Sequence, residues 1–354
     1  MKRSSRELSL FLLPLLALSL VSCKKPKEAW RRTKDGLFVI RLATPTGYSE
    51  DQIADNLGYW KDEKLQVEYV GVLNPGTAIP AALSGKVDVV GGHPNTIIKA
   101  RLAGAKITAV VNGMVDDEDN PHIVYHVTKR SGLHTPESFL ALASTRKIKV
   151  AVSARNGCSD WYFDEWLLDH GIKEGQIDWQ IMPAKQQLEA LSQGLVDVVT
   201  THPPFIKAAD ADPNFHRVLS SFDILHDPAA GASVRGFTDK FIKENPEAVA
   251  GFVRVYMRVH EWSNAHPDSA RILFGKLFNL PPEQVSIFSF NPRRWIDDSD
   301  INAWLARQIA HKDIKPDAKI KASDIYTNEY NVYWIEAGRP NTTLAATPIP
   351  VKQE

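Results

Sequence analysis

Two stretches of this chain repeat one another in a register that reaches well beyond neighbouring elements. Residues 82–100 read ALSGKVDVVGGHPNTIIKA and residues 190–209 read ALSQGLVDVVTTHPPFIKAA. Aligning Gly85 with Gly194 matches Val87 with Val196, Asp88 with Asp197, Val89 with Val198 and Val90 with Val199. The same alignment matches His93 with His202, Pro94 with Pro203 and Ile97 with Ile206. Each copy predicts a helix, a turn glycine, a buried strand, a His-Pro pair and a second helix. A Gly-x-Val-Asp turn can be shared by any two β–α–β units, but that does not account for a His-Pro at the same register. The chain is therefore expected to build two similar halves.

The surroundings of the two copies agree. Short β-branched runs alternate with helical stretches from Phe38 to Val111, and again from Ile123 to Ala209. Such alternation predicts mostly parallel sheets covered on both faces. After Asn245 the pattern changes, and Glu247–Ala265, Ser269–Phe278, Pro282–Phe288 and Ser299–Ala310 all read as helices. Ligands of open α/β sheets bind beyond the carboxyl ends of the strands. Each His-Pro falls at such an end, with proline at or near the first helical position, where it is well tolerated. If the halves face each other, His93 and His202 meet across one cleft.

The N-terminus speaks to compartment. Lys2, Arg3 and Arg6 precede an apolar run over residues 8–21, the order of a secretory leader. That run is short of the roughly 20 residues that span a bilayer. Leu20-Val21-Ser22-Cys23 then resembles a bacterial lipobox, which implies lipidation of Cys23. With each buried methylene contributing roughly 0.8 kcal/mol, two or three acyl chains give a stable anchor. Residues 1–22 are set aside as leader, and residues 23–34 read as a tether. Of the two cysteines only Cys158 remains, so neither a disulfide nor a multi-cysteine metal site is expected. Lys and Arg number 42, as do Asp and Glu, so no overall field recruits nucleic acid. About 330 residues remain after the leader, more than one typical core holds.

The segment TPTGYSEDQIADNLGYWKDEKLQVEYVGVLNPGTAIPAALSGKVDVVGGHPNT resembles the nitrate/sulfonate/taurine-type substrate-binding proteins, a group that includes the thiamine-pyrimidine precursor binders. The second half, from VTKRSGLHTPESFLALASTRKIKVAVSARNGCSDWYF to LVDVVTTHPPFIKAA, matches in the same order. The resemblance implies the type II periplasmic-binding fold: two α/β lobes joined by a two-strand hinge, here with a helical C-terminal extension. It implies a first lobe of residues 35–127 plus 231–354 and a second of residues 128–230. The hinge strands should run near residues 124–129 and 229–235. The implied role is the lipid-anchored, extracytoplasmic solute-binding component of an ABC importer. Such a protein works as a monomer with permease and ATPase partners and uses no cofactor. It captures a small anion by hinge closure and does no chemistry on it. Family ligands range over nitrate, alkanesulfonates, taurine, aromatic acids and pyrimidines.

The candidate contacts are loop residues. Thr46, Tyr48 and Ser49 follow the first strand, and Ser49 is either an anion contact or an N-cap. Asn74, Gly76 and Thr77 open the next helix. His93, Asn95 and Thr96 open the one after, with His202 as the counterpart; a lone histidine is more often structural, and the shared register favours the functional reading. Ser153, Arg155, Asn156, Gly157 and Ser159 form a polar strand-to-helix loop suited to cradling an anion, with Trp161 placed to stack. Arg235 lies near the return hinge, as a ligand contact or an inter-lobe ion pair. No metal ligands are assigned. The competing metal reading draws on His93, His202, His122, His126 and the acidic run at residues 116–119, and it lacks a helix-face pair of ligands. An enzyme is not expected. The cysteine-rich CCCFC run of the pyrimidine-synthesising relatives is missing, and nothing local pairs Cys158 with a histidine.

Overall fold

The computed structural model describes residues 31–73, 75–155, 157–225 and 232–338. Cys23, Asn74 and Asn156 lie outside the described residues. The first half contributes strands β1 (Phe38–Leu42), β2 (Leu65–Tyr69), β3 (Val89–Gly92), β4 (Ile107–Asn112) and the short β5 (Met114–Val115). The chain continues through β6 (Val124–Thr128), β7 (Ile148–Val152), β8 (Ile177–Ile181), β9 (Val198–Thr201) and β10 (Phe215–Ser220). It returns as β11 (Val234–Thr238) and ends its strands with β12 (Ser289–Phe290), which pairs with β5.

The strand order makes the two halves equivalent. In the first, β1 pairs with β2 in parallel, and β11 lies antiparallel between β3 and β4. Asp88 at the mouth of β3 donates its N–H to the Arg41 carbonyl at 2.9 Å, so the order across this half is β2-β1-β3-β11-β4. In the second, the order is β8-β7-β9-β6-β10, with β7 parallel to β8 and β9 and with β6 antiparallel to β9 and β10. Strand for strand, the two arrangements correspond. Strand β6 pairs only within the second sheet, so the chain has entered that half by Val124. It comes back through β11.

Local sequence explains most elements. Alternation in FVIRL buries Phe38, Ile40 and Leu42 on one face of β1. Strands β4 and β6, buried along their whole length, read as unbroken apolar-rich runs. Ser49 and Thr135 cap the helices Glu50–Leu57 and Pro136–Thr145 through their hydroxyls. Gly58, at φ 74°, separates the helix Glu50–Leu57 from the short helix Tyr59–Asp62. The helix Pro246–Ala265 buries Val249, Phe252, Val253, Tyr256 and Val259 in the core of the first half. Residues 282–288 were expected as helix. Only Pro282–Gln284 forms a single 3-10 turn, and the chain then extends into β12.

A second core runs through both halves. It joins Val90, Ile97 and Ile107 of the first to Phe139, Val150, Tyr162 and Phe163 of the second, with Trp304 of the helix Asp298–Ala310 between them. That helix straps the halves together, because Arg307 and His311 reach Glu165 at 3.3 and 3.4 Å.

Candidate functional site

The repeated aspartates prove to be fasteners. Asp88 accepts from the Arg41 N–H at 2.8 Å, and Asp197 accepts from the Lys149 N–H at 2.9 Å. Each returns its own N–H to that residue's carbonyl, at 2.9 and 2.8 Å. In both halves the third strand is thus tied to the first at the same place. Guanidinium groups complete the pattern: Arg31 and Arg41 at 2.9 Å on Asp88, and Arg146 at 2.6 and 2.7 Å on Asp197. The fasteners set the length of each strand beyond them, and so the place where each His-Pro emerges.

Both histidines emerge at the same seam. His93 caps the helix Pro94–Leu102 and directs its ring toward the second half. Its Nδ1–H donates to the Ala232 carbonyl at 2.9 Å, which in the neutral ring leaves Nε2 as the lone-pair nitrogen. The ring stacks on Trp304 with centroids 4.8 Å apart, and the His122 ring lies 5.0 Å away. From the second half, Cys158 opens the helix Cys158–Asp169. His93, His122 and Cys158 each bring a nitrogen or sulfur within 4.8 Å of the others. His202 reaches the same thiol, with Nε2 at 3.9 Å from Cys158 Sγ and 3.3 Å from Ser159 Oγ. Trp161 and Tyr162 complete an aromatic wall against Trp304.

Burial charges this cluster unusually. His122 is fully buried, and neither ring nitrogen makes a hydrogen bond. Asp116 Oδ1 lies 3.2 Å from His122 Nδ1, an ion-pair distance, while accepting from the His122 N–H and from Ser221 Oγ at 3.0 Å each. Burial works to lower the His122 pKa, but Asp116 and Cys158 outweigh it and hold the ring up to about 9. Burial likewise works to raise Cys158, yet His122, His202 and His93 pull the thiol well below its ordinary value. The sequence offered Cys158 no partner. Folding gives it three imidazoles.

The remaining expected contacts divide. Ser159 and Trp161 stand in the seam, and buried Asn95 and half-buried Thr96 follow His93 on its helix. Ser49 is a helix cap, accepting from the Asp51 N–H at 3.1 Å. Tyr48 is buried against Phe274, with centroids 3.9 Å apart. Thr46, Gly76, Thr77 and Ser153 are exposed, and Ser153 accepts from Gln187 at 3.2 Å. Arg155, expected as an anion clamp, instead pairs with Asp160 at 2.9 Å and covers the Trp179 ring at 4.3 Å. Gly157 donates its N–H to the same Asp160 at 2.9 Å. His126, part of the competing metal reading, bonds Asp210 and Thr201 at 2.9 Å each.

Arg235 is drawn into a buried polar network of the first half. Its guanidinium meets Glu50 at 2.9 Å and crosses directly over Gly91, where an added Cβ would lie 2.8 Å from its Cδ. Burial works to raise Glu50, but Arg235 and His260 overcome it and bring the carboxyl to about 2. For Asp51 burial prevails over Arg235 and the Tyr256 hydroxyl, and its pKa stands at about 6.

Sequence reasoning missed Trp304, and it drew on His122 and the acidic run holding Asp116 only for the competing metal reading. The signal for Trp304 was slight: one tryptophan in a late helix.

Two sheets of corresponding strand order, whose third-strand loops converge on one half-buried thiol, define a two-lobed α/β binding-protein architecture. The chain belongs to the NMT1/THI5-like family, whose model matches residues 50–270. The alkanesulfonate-binding protein SsuA of Xanthomonas axonopodis pv. citri, bound to MOPS, superposes with a TM-score of 0.64 at 14% identity, covering 81% of this chain and 97% of that one. The periplasmic nitrate-binding protein NrtA of Synechocystis PCC 6803 gives 0.67 at 13% identity, covering 85% and 88%. A ligand-binding component of an ABC-type import system from Staphylococcus aureus, with zinc bound, gives 0.64 at 16%, covering 85% and 99%. Among curated proteins the chain finds no match. The periplasmic-binding fold expected from the sequence is the fold of these structures. No helix among the described residues is long and apolar enough to cross a membrane.

Proposed function

We propose that this chain is the extracytoplasmic solute-binding component of an ABC importer, a clamp that captures a small molecule between its halves and does no chemistry on it. The carrying observation is the convergence, at one buried seam, of the loops after β3, β7 and β9, which come from two sheets. The segments leading into β6 and β11 join the two sheets, which can rotate about them, and a solute in the seam favours the closed arrangement. The lobes would comprise residues 35–127 plus 231–354 and residues 128–230, with the first crossing falling just before β6, which pairs in the second sheet. Cys23 would carry the lipid, the protein would act as a monomer, and the partners would be a permease and an ATPase. A sulfonate- or nitrate-like anion now has a narrower basis than the sequence offered. Arg155 and Arg235 are both committed to carboxylates, so an anion would rest on imidazole donors and helix N-termini.

A thermal-shift panel of alkanesulfonates, taurine, nitrate, aromatic acids and pyrimidines tests this reading in the native chain and in His93→Ala and His202→Ala. Saturable stabilisation by one class, weakened in both variants, is the expected result. Equal stabilisation in all three proteins would overturn the site.

A further inference from the structure

The seam holds a donor set that an organic anion does not require. Within 4.8 Å of one another stand an imidazole from the first half, an imidazole from the crossing segment and a thiol from the second half. We propose that His93, His122 and Cys158 form a site for one divalent transition-metal ion of the zinc type, with His202 placed to complete the coordination from the second half. This rests on the solute-binding reading, since the ion would occupy the same seam.

Three features support the assignment beyond proximity. The first is His122, fully buried with neither nitrogen hydrogen-bonded; Asp116 beside Nδ1 leaves Nε2 as the nitrogen that meets an ion. Burying an imidazole this way is costly unless something binds it. The second is the outer shell. Metal-bound histidines commonly give their other nitrogen to a carboxylate or a carbonyl, and here Asp116 faces one ring while the Ala232 carbonyl holds the other. The third is the thiol's further neighbour, since His202 Nε2 lies 3.9 Å from Cys158 Sγ and sets a fourth donor beside the three. Imidazole and thiolate together suit zinc and its neighbours and not calcium or magnesium. Tetrahedral coordination at about 2.0–2.3 Å needs ligand atoms about 3.3–3.6 Å apart. The three donors must therefore draw in by roughly an ångström, which side-chain rotation and lobe closure together supply. Because the donors come from both halves, the ion would act as the bolt of the clamp.

The test uses the full chain, stripped with chelator and titrated with cobalt(II) and zinc. One cobalt per chain is expected, with a sulfur-to-cobalt charge-transfer band that zinc bleaches. Cys158→Ser should abolish the band, His93→Ala and His122→Ala should weaken binding at least tenfold, and Asp116→Asn should weaken it about 10–100-fold. His134→Ala, which breaks the ring pair with His216 on the second half, should change nothing. Melting curves and circular dichroism establish that each variant folds. If Cys158→Ser is unfolded, His122→Gln carries the same test. Binding unchanged in Cys158→Ser, or no binding at all, would overturn the metal site. Sulfonate or nitrate stabilisation of the metal-free chain would then leave the solute-binding reading standing. With neither metal nor any panel solute bound, both would fall.

Discussion

The two halves carry the same strand order and the same Asp fastener, yet the loops after their first strands do opposite things. In the first half that loop runs through Tyr48 and Ser49 into Glu50 and Asp51, which are sealed inward against Arg235, Tyr256 and His260. In the second it runs through Gly157 into Cys158 and Ser159, which face the seam and meet His202. Equivalent backbone positions therefore hold an internal polar network in one half and a reactive donor set in the other. The lesson is a division of labour. Fasteners fix where strand tips end, and the residues just past those tips are free to differ.

The largest expected difference concerns the fasteners themselves. Asp88 is buried between two largely buried arginines, whereas Asp197 meets a half-exposed Arg146. Asp88→Ala should cost about 3–5 kcal/mol, because it strands buried charge. Asp197→Ala should cost about 1 kcal/mol or little more, as exposed pairs do. Denaturant midpoints measure both, and equal losses would break the comparison. Next come the paired histidines. His93→Ala removes a ring fixed at both ends and should weaken zinc binding about a hundredfold, near 2.7 kcal/mol, against about tenfold for His202→Ala. Titration calorimetry would read this, and the reverse order would show that the second half, not the first, anchors the ligand.

A pH series sharpens the contrast further. Burial lifts Asp51 to about 6, so it binds its proton more tightly folded than unfolded. The stability this contributes is complete below about pH 4 and is lost as pH rises through about 6. Glu50, at about 2, has the opposite sign, and its change falls at lower pH. Asp51→Asn, which keeps an acceptor for Tyr256, should flatten the melting temperature between pH 4 and 6. An unchanged slope would contradict the assignment. The smallest effect belongs to Ser49. Losing its cap in Ser49→Ala should cost about 1 kcal/mol in denaturant midpoint with zinc affinity unchanged. A drop in affinity would restore it as a contact.

The sequence made the scaffold legible because period-2 and β-branched runs mark strands such as FVIRL and IKVAV wherever they fall. The His-Pro repeat located the tips of β3 and β9 and the two loops that converge. Strands β10 and β11 were less legible, since Arg217, Arg235 and Gly236 break the apolar pattern and pairing with β6, β3 and β4 decides them. The helix expected over residues 282–288 failed for a related reason: the 3-10 turn at Pro282 gives way to the tertiary pairing of β12 with β5. The site was half visible. Cys158 looked solitary because its partners lie dozens of residues away, and the arginines looked available because Asp160 and Glu50 reach them only after folding.

Lobes that swing together on a captured solute should change the dimensions of the whole molecule, and small-angle X-ray scattering reads that directly. Titrating the stripped chain with zinc and with the solute panel should give a saturable, one-to-one fall in the radius of gyration for at least one ligand. That fall should vanish when His93 and His202 are both replaced by alanine. Tight binding with no change in scattering, or a change that survives the double replacement, would contradict the account.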